Sequence, residues 1–285
     1  MTTTTNEEAT MSSTGSTVSD AGTTVSDADV RPVATDLAAD FEKRRAGRVD
    51  AGDLVGENLA ALAAAGITPA AVTDAAVRRR VLRTVAGGCG ATAFALAATF
   101  AATATATATA TDTDTGTADA GSGSTPAGAG RAEAVLYHAA VQFGLAERAY
   151  AVAVDRVRHA GDLARQPGPQ FAVARMRGSL DTMTALLDRQ AARVVDAGAA
   201  GRDDGDDAGA LAEACTAGLY LAGEAETVVS AGYDLVAADP DGAARIGQIW
   251  HDLKATPAPV SGSLARELVG KAAFGIDPDE TPRWV

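Results

Sequence analysis

"RAEAVLYHAAVQFGLAERAYAVAVDRVRHAG", residues 131–161, sets Leu136, Phe143, Tyr150 and Val157 seven residues apart, with Ala139, Ala146 and Ala153 between them. A repeat of seven keeps apolar side chains on one side of an α-helix, where a neighbouring helix can cover them. The stretch "PQFAVARMRGSLDTMTALLDRQAARVVDAG" (169–198) does the same with Val173, Leu180, Leu187 and Val194, interleaved by Met176, Met183 and Gln190. A third helix is expected from about Asp207 to Ser230. Its inner face pairs Leu211, Gly218 and Ala225 with Ala214, Leu221 and Val228, small enough for backbones to approach closely. With a closing helix from about Ser263 to Phe274, residues 131–285 are expected to form an antiparallel four-helix bundle with shallow crossing angles.

Upstream, residues 35–104 read as a smaller helical region. In "DLVGENLAALAAAG" (53–66) Asp53 caps a helix and Gly66 stops it. In "TPAAVTDAAVRRRVLRTVAGG" (68–88) Thr68 before Pro69 opens a helix that Gly87-Gly88 ends. "CGATAFALAATFAA" (89–102) reads as a mostly buried helix. Residues 105–130 are low in complexity. Their Ala/Thr alternation has the period of a strand but no bulky residue to bury, so a linker is expected. Residues 1–34, rich in Thr, Ser and Asp, read as a disordered tail. No strand-rich segment occurs, and the fold class is all-α.

The chain carries 37 Asp plus Glu against 24 Lys plus Arg, with 26 Asp to 11 Glu and only Lys43, Lys254 and Lys271 as lysines. Such a surface stays hydrated and self-repelling in concentrated salt, which suggests a high-salt cytoplasm; a GC-rich genome would favour the same codons. Nucleic acid is an unsuitable partner, because phosphate binding needs a clustered positive face. The basic run Arg78-Arg79-Arg80 with Arg83 reads as a solvated helix edge. Cys89 and Cys215 form no C-x-x-C pair, which excludes a cysteine zinc site and fits a reducing compartment. Residues 84–111 are uncharged, yet Ala, Thr and Gly gain too little on insertion to span a bilayer.

Motifs for self-sufficient chemistry are missing. "AGGCGA" (86–91) has neither the strand and spacing of a dinucleotide loop nor the G-K-[ST] of a P-loop, and reads as a helix stop. His138, His159 and His251 lack metal-ligand spacing, so no metal is expected. "RDDGDDAG" (202–209) lacks the spacing and closing Glu of a calcium loop and reads as a solvated cap.

Five stretches together resemble the acyl-CoA dehydrogenase family, flavoproteins that oxidise acyl-CoA thioesters at Cα–Cβ. They are "VLRTVAGGCGATAFALAATF" (81–100), "VQFGLAERAYAVAVDRVRH" (141–159), residues 169–198, "IGQIWHDL" (246–253) and "ELVGKAAFGIDP" (267–278). The resemblance covers both helical parts, and it implies FAD as cofactor, acyl-CoA as substrate and a homo-oligomer or a complex with a related subunit. The family's middle β-barrel is missing, and the linker stands in its place. The two arginines of the family's R-x-x-R-D are Gln248 and His251 here, before Asp252. The position of the glutamate base in one large branch is Val260. Another branch places its base on the first long helix, where Glu133 is the nearest acid. For the flavin of a neighbouring subunit the resemblance points to Arg158 and Gln170, and the glycine turn near the flavin corresponds to "SAGYD" (230–234), with Gly232 and Tyr233. Two functions stay open: an FAD-dependent dehydrogenase, or a non-catalytic helical scaffold or partner subunit derived from that family. A flavin monooxygenase of the same fold is a third.

Overall fold

The computed structural model describes residues 26–46, 51–112, 128–199, 204–255, 257–277 and 280. Their order is α1 (Asp27–Ala46), α2 (Ala51–Ala64), α3 (Ala75–Gly88), α4 (Gly90–Asp112), α5 (Gly128–His159), a short 3-10 turn (Gly161–Arg165), α6 (Pro167–Ala199), α7 (Asp204–Val236), α8 (Pro240–Ala255) and α9 (Gly262–Phe274). The described residues are helical throughout and hold no strand. None of these helices is long and apolar enough to cross a membrane.

The centre of the molecule is α5, which packs against α3, α4, α6, α7 and α8. Every residue from Val135 to Ala146 is buried. The seven-residue repeat describes one face of this helix, but Val135, Tyr137, Val141 and Leu145 fill the other faces with apolar groups. A helix that is apolar all round gains most when surrounded. Each large side chain taken from water there contributes about 1.5–3 kcal/mol. A single apolar core therefore runs from Val30 in α1 to Leu268 in α9 and joins the two helical regions. Two glycines make the join close. A Cβ at Gly144 of α5 would collide with the Arg83 carbonyl of α3, and one at Gly88 of α3 with the Ala38 carbonyl of α1.

The closing helix follows its sequence signals. Ser261 accepts a hydrogen bond from the Leu264 amide at the start, and Gly275 ends the helix with φ +65°.

Four expectations are corrected. The tail expected over 1–34 is helical from Asp27, and Val30 and Ala34 are buried in the core. The linker expected over 105–130 is helical at both ends, since α4 continues to Asp112 and α5 starts at Gly128; residues 113–127 lie outside the described residues. Alanine is the strongest helix former, and a helical threonine satisfies its hydroxyl on the preceding turn, as Thr103 does on the Thr99 carbonyl. Thr68 opens a turn rather than α3; the helix starts seven residues later, where the Asp74 carboxylate accepts from the Ala76 and Val77 amides. The arginine run is a solvated edge only in part: Arg80 is exposed and Arg83 half-buried, but Arg78 and Arg79 are buried.

Candidate functional site

Of the two buried arginines, Arg78 is explained by its partners. Arg78 donates through Nε to the Val72 carbonyl (2.6 Å), through Nη2 to the Pro69 carbonyl (3.0 Å) and through Nη1 to the Tyr137 hydroxyl (3.4 Å), and its guanidinium lies over the Phe100 ring. Tyr137, fully buried, donates in turn to Glu133 Oε2 at 3.1 Å. Burial, reinforced by the Glu133 carboxylate, pushes the phenol up to about 12, so it stays a neutral donor. Arg83 forms a fork with Glu147 and covers the Phe143 ring. Burial lowers the Arg79 guanidinium, and its Nη1 is fully buried with no hydrogen-bond partner.

Asp252 anchors a second internal assembly. Its carboxylate accepts from Arg45 Nη1 (2.7 Å) and Nη2 (2.5 Å) of α1 and from the Gly90 amide (3.1 Å) at the N-terminus of α4. A carboxylate on the first amides of a helix satisfies both an orphan N–H and the helix dipole. A side chain at residue 90 would sit 2.6 Å from Asp252 Oδ2, so only glycine lets α8 come this near. Gln248 and His251, where the resemblance has arginines, are exposed on α8.

The resemblance-derived residues do not gather into one site. Glu133 and Arg158 lie near opposite ends of α5, separated by 25 residues and so roughly 37 Å along the axis. Arg158 is exposed. Gln170 is exposed and donates to the Ala164 carbonyl (2.9 Å), tying down the 3-10 turn. Gly232 lies within α7 rather than in a turn, and its face is closed by Ile246, the Ala149 carbonyl and Met176. Tyr233 is exposed beside Trp250 on a surface groove of about 270 Å³ between α7 and α8. Within one chain the glycine faces inward and the glutamine donates to a backbone carbonyl.

A cavity of about 140 Å³ lies between α5, α7, α9 and the loop before α9. Its polar side chains are His138, Gln142 and Cys215; the rest of the lining is apolar or glycine, and Val260 closes the loop side. The ring of His138 rests 4.7 Å from that of Phe94, and its Nε2 is 3.2 Å from Gln142 Nε2. Burial lowers His138 to about 4, leaving a neutral imidazole, and pushes the Cys215 thiol up against a weaker pull from Arg131. An uncharged imidazole and a protonated thiol can hold hydrogen bonds; they form no activated nucleophile–base pair. Among the described residues no group of three metal-ligating side chains converges.

The i, i+4 spacing of His138 and Gln142 was visible in the sequence, but their meeting with Cys215 and Val260 depends on how three helices pack. No protein-family model, curated protein or solved structure matches this chain.

Proposed function

We propose that the chain is a non-catalytic helical protein, a scaffold or partner subunit built on an acyl-CoA dehydrogenase-like frame. The observation that carries this reading is the lining of the cavity at Val260. A base that removes an α-proton must be a carboxylate held in a water-poor pocket with a raised pKa. Here a mostly apolar pocket is lined by Val260, the position that the resemblance assigns to the family base, and none of its lining residues is an acid. Asp252, the surviving acid of the R-x-x-R-D pattern, is spent on Arg45 and Gly90.

The exposed aromatics Tyr233 and Trp250 offer apolar surface to a second copy or a related subunit. The acidic, lysine-poor composition and the two free, buried thiols fit a salt-rich cytoplasm.

The dehydrogenase reading draws on one observation, the half-buried Glu133 whose charge acts on Arg79, a guanidinium with its Nη1 buried and without a partner. The visible absorption of the protein in multimolar KCl, titrated with FAD, separates the two. The expected protein is colourless and takes up no stoichiometric flavin. A stoichiometric flavin band that bleaches on adding an acyl-CoA, and no longer bleaches in Glu133→Gln, would establish the enzyme instead.

A further inference from the structure

The cavity between α5, α7 and α9 has a size and a chemistry that together select a ligand. Its volume of about 140 Å³ is close to the roughly 150 Å³ of an engineered apolar protein cavity that stays dry and takes up benzene. Unlike that cavity it opens to the surface and has a polar corner. His138 and Gln142 are each only 8% exposed, and both line the space. Their one hydrogen bond, to each other, joins His138 Nε2 and Gln142 Nε2. Beyond that contact, neither Gln142 Oε1 nor His138 Nδ1 is a fully buried atom without a partner among the described residues.

Charge rules out half of the candidate ligands. No carboxylate, lysine or arginine lines the cavity, and burying an unpaired ion costs far more than apolar contact returns. A neutral molecule with one hydroxyl gains both ways. Its apolar body replaces empty space against Val135, Ala139, Leu219 and Val260, and its hydroxyl completes the polar corner.

We propose that this cavity is a binding site for a small neutral molecule of phenol size, an apolar body with one hydroxyl that hydrogen-bonds to the His138–Gln142 pair. The site stands on its own lining and does not depend on whether the chain turns over.

Calorimetric titration of the full chain at pH 7 in multimolar KCl, with phenol, benzene and benzoate as probes, tests it. Phenol is expected to bind saturably at one site, benzene about tenfold more weakly for want of one hydrogen bond, and benzoate not at all. Ala222→Phe, which fills the cavity from α7, is expected to abolish phenol binding; Val260→Phe closes the same space from the loop if the first variant does not fold. Gln142→Leu is expected to bring phenol down to the level of benzene. Absence of saturable phenol binding, phenol binding that survives a cavity-filling variant which folds, or benzoate binding as tightly as phenol would each overturn the proposal.

Discussion

Helices α5 and α6 carry nearly the same seven-residue apolar repeat, yet one is the axis of the molecule and the other its flank. Leu136, Phe143 and Val157 of α5 are buried, as are Leu180 and Leu187 of α6. The difference lies between the repeats. In α5 those positions hold Val135, Tyr137, Val141 and Leu145, whereas α6 places Arg175, Arg177, Asp181 and Asp188 there, all exposed. One apolar stripe tells a helix which side to bury, and the remaining sides decide how many neighbours it has. Read by its repeat alone, α5 belongs to the rim of a four-helix bundle; read all round, it belongs at the centre.

The largest contrast is expected from a charge placed on each helix. Val141→Asp puts an unpaired carboxylate where the side chain is fully buried, and the desolvation penalty should cost most or all of the folded population. On α6 an aspartate already stands at 181, exposed and paired with Arg177. Circular dichroism during a denaturant titration checks this; a Val141→Asp variant as stable as the parent would place α5 at the surface.

Next in size is Asp252→Ala. It strands Arg45 and the Gly90 amide at the seam between α1, α4 and α8; breaking a fully buried pair from one side costs about 3–5 kcal/mol, and the part-exposed Arg45 places this loss below that range but above about 1 kcal/mol. A loss below about 1 kcal/mol in the same titration would mean that the seam does not depend on the carboxylate.

The pH dependence sharpens the comparison from within α5. His138 falls from an ordinary 6.5 to about 4 in the folded protein because burial disfavours its charge. The unfolded chain therefore binds the extra proton first. Stability from this group is complete above the unfolded value of 6.5 and is lost as pH drops toward 4. Between pH 7 and 5 the loss should be about 2 kcal/mol, and His138→Gln should remove that part of the slope. The parent and the variant losing stability in parallel would exclude a buried neutral His138. The smallest effect belongs to the outer face of α6. The Arg177–Asp181 pair is exposed, and Arg177→Ala should leave the denaturation midpoint unchanged within error.

Much of the frame was legible in the sequence. Helix α9 ends at Phe274 as expected and starts at Gly262, one residue before the expected start, because Ser261 caps it, and the inner face of α7 follows from its small residues. The start of α3 was misread because Thr68 does cap a turn, and only the second cap, Asp74, carries the helix. Four arginines close together also suggested a wet surface. Arg78 and Arg79 are buried and Arg83 half-buried, while Arg80 stays exposed; the groups that cover Arg78 and Arg83, namely Tyr137, Phe100, Glu147 and Phe143, come from α4 and α5, and no local pattern ties them to α3. The candidate site was the least legible part. The residues suggested by resemblance scatter along α5, α6 and α7, while the cavity draws on three helices and a loop.

Hydrogen exchange read by mass spectrometry tests the central position of α5 most directly. Amides of residues 135–146 are expected to exchange only through global unfolding, at the free energy of the whole protein, while those on α6 open at lower cost through local unfolding. Exchange of 135–146 as fast as that of α6 would contradict a molecule built around α5.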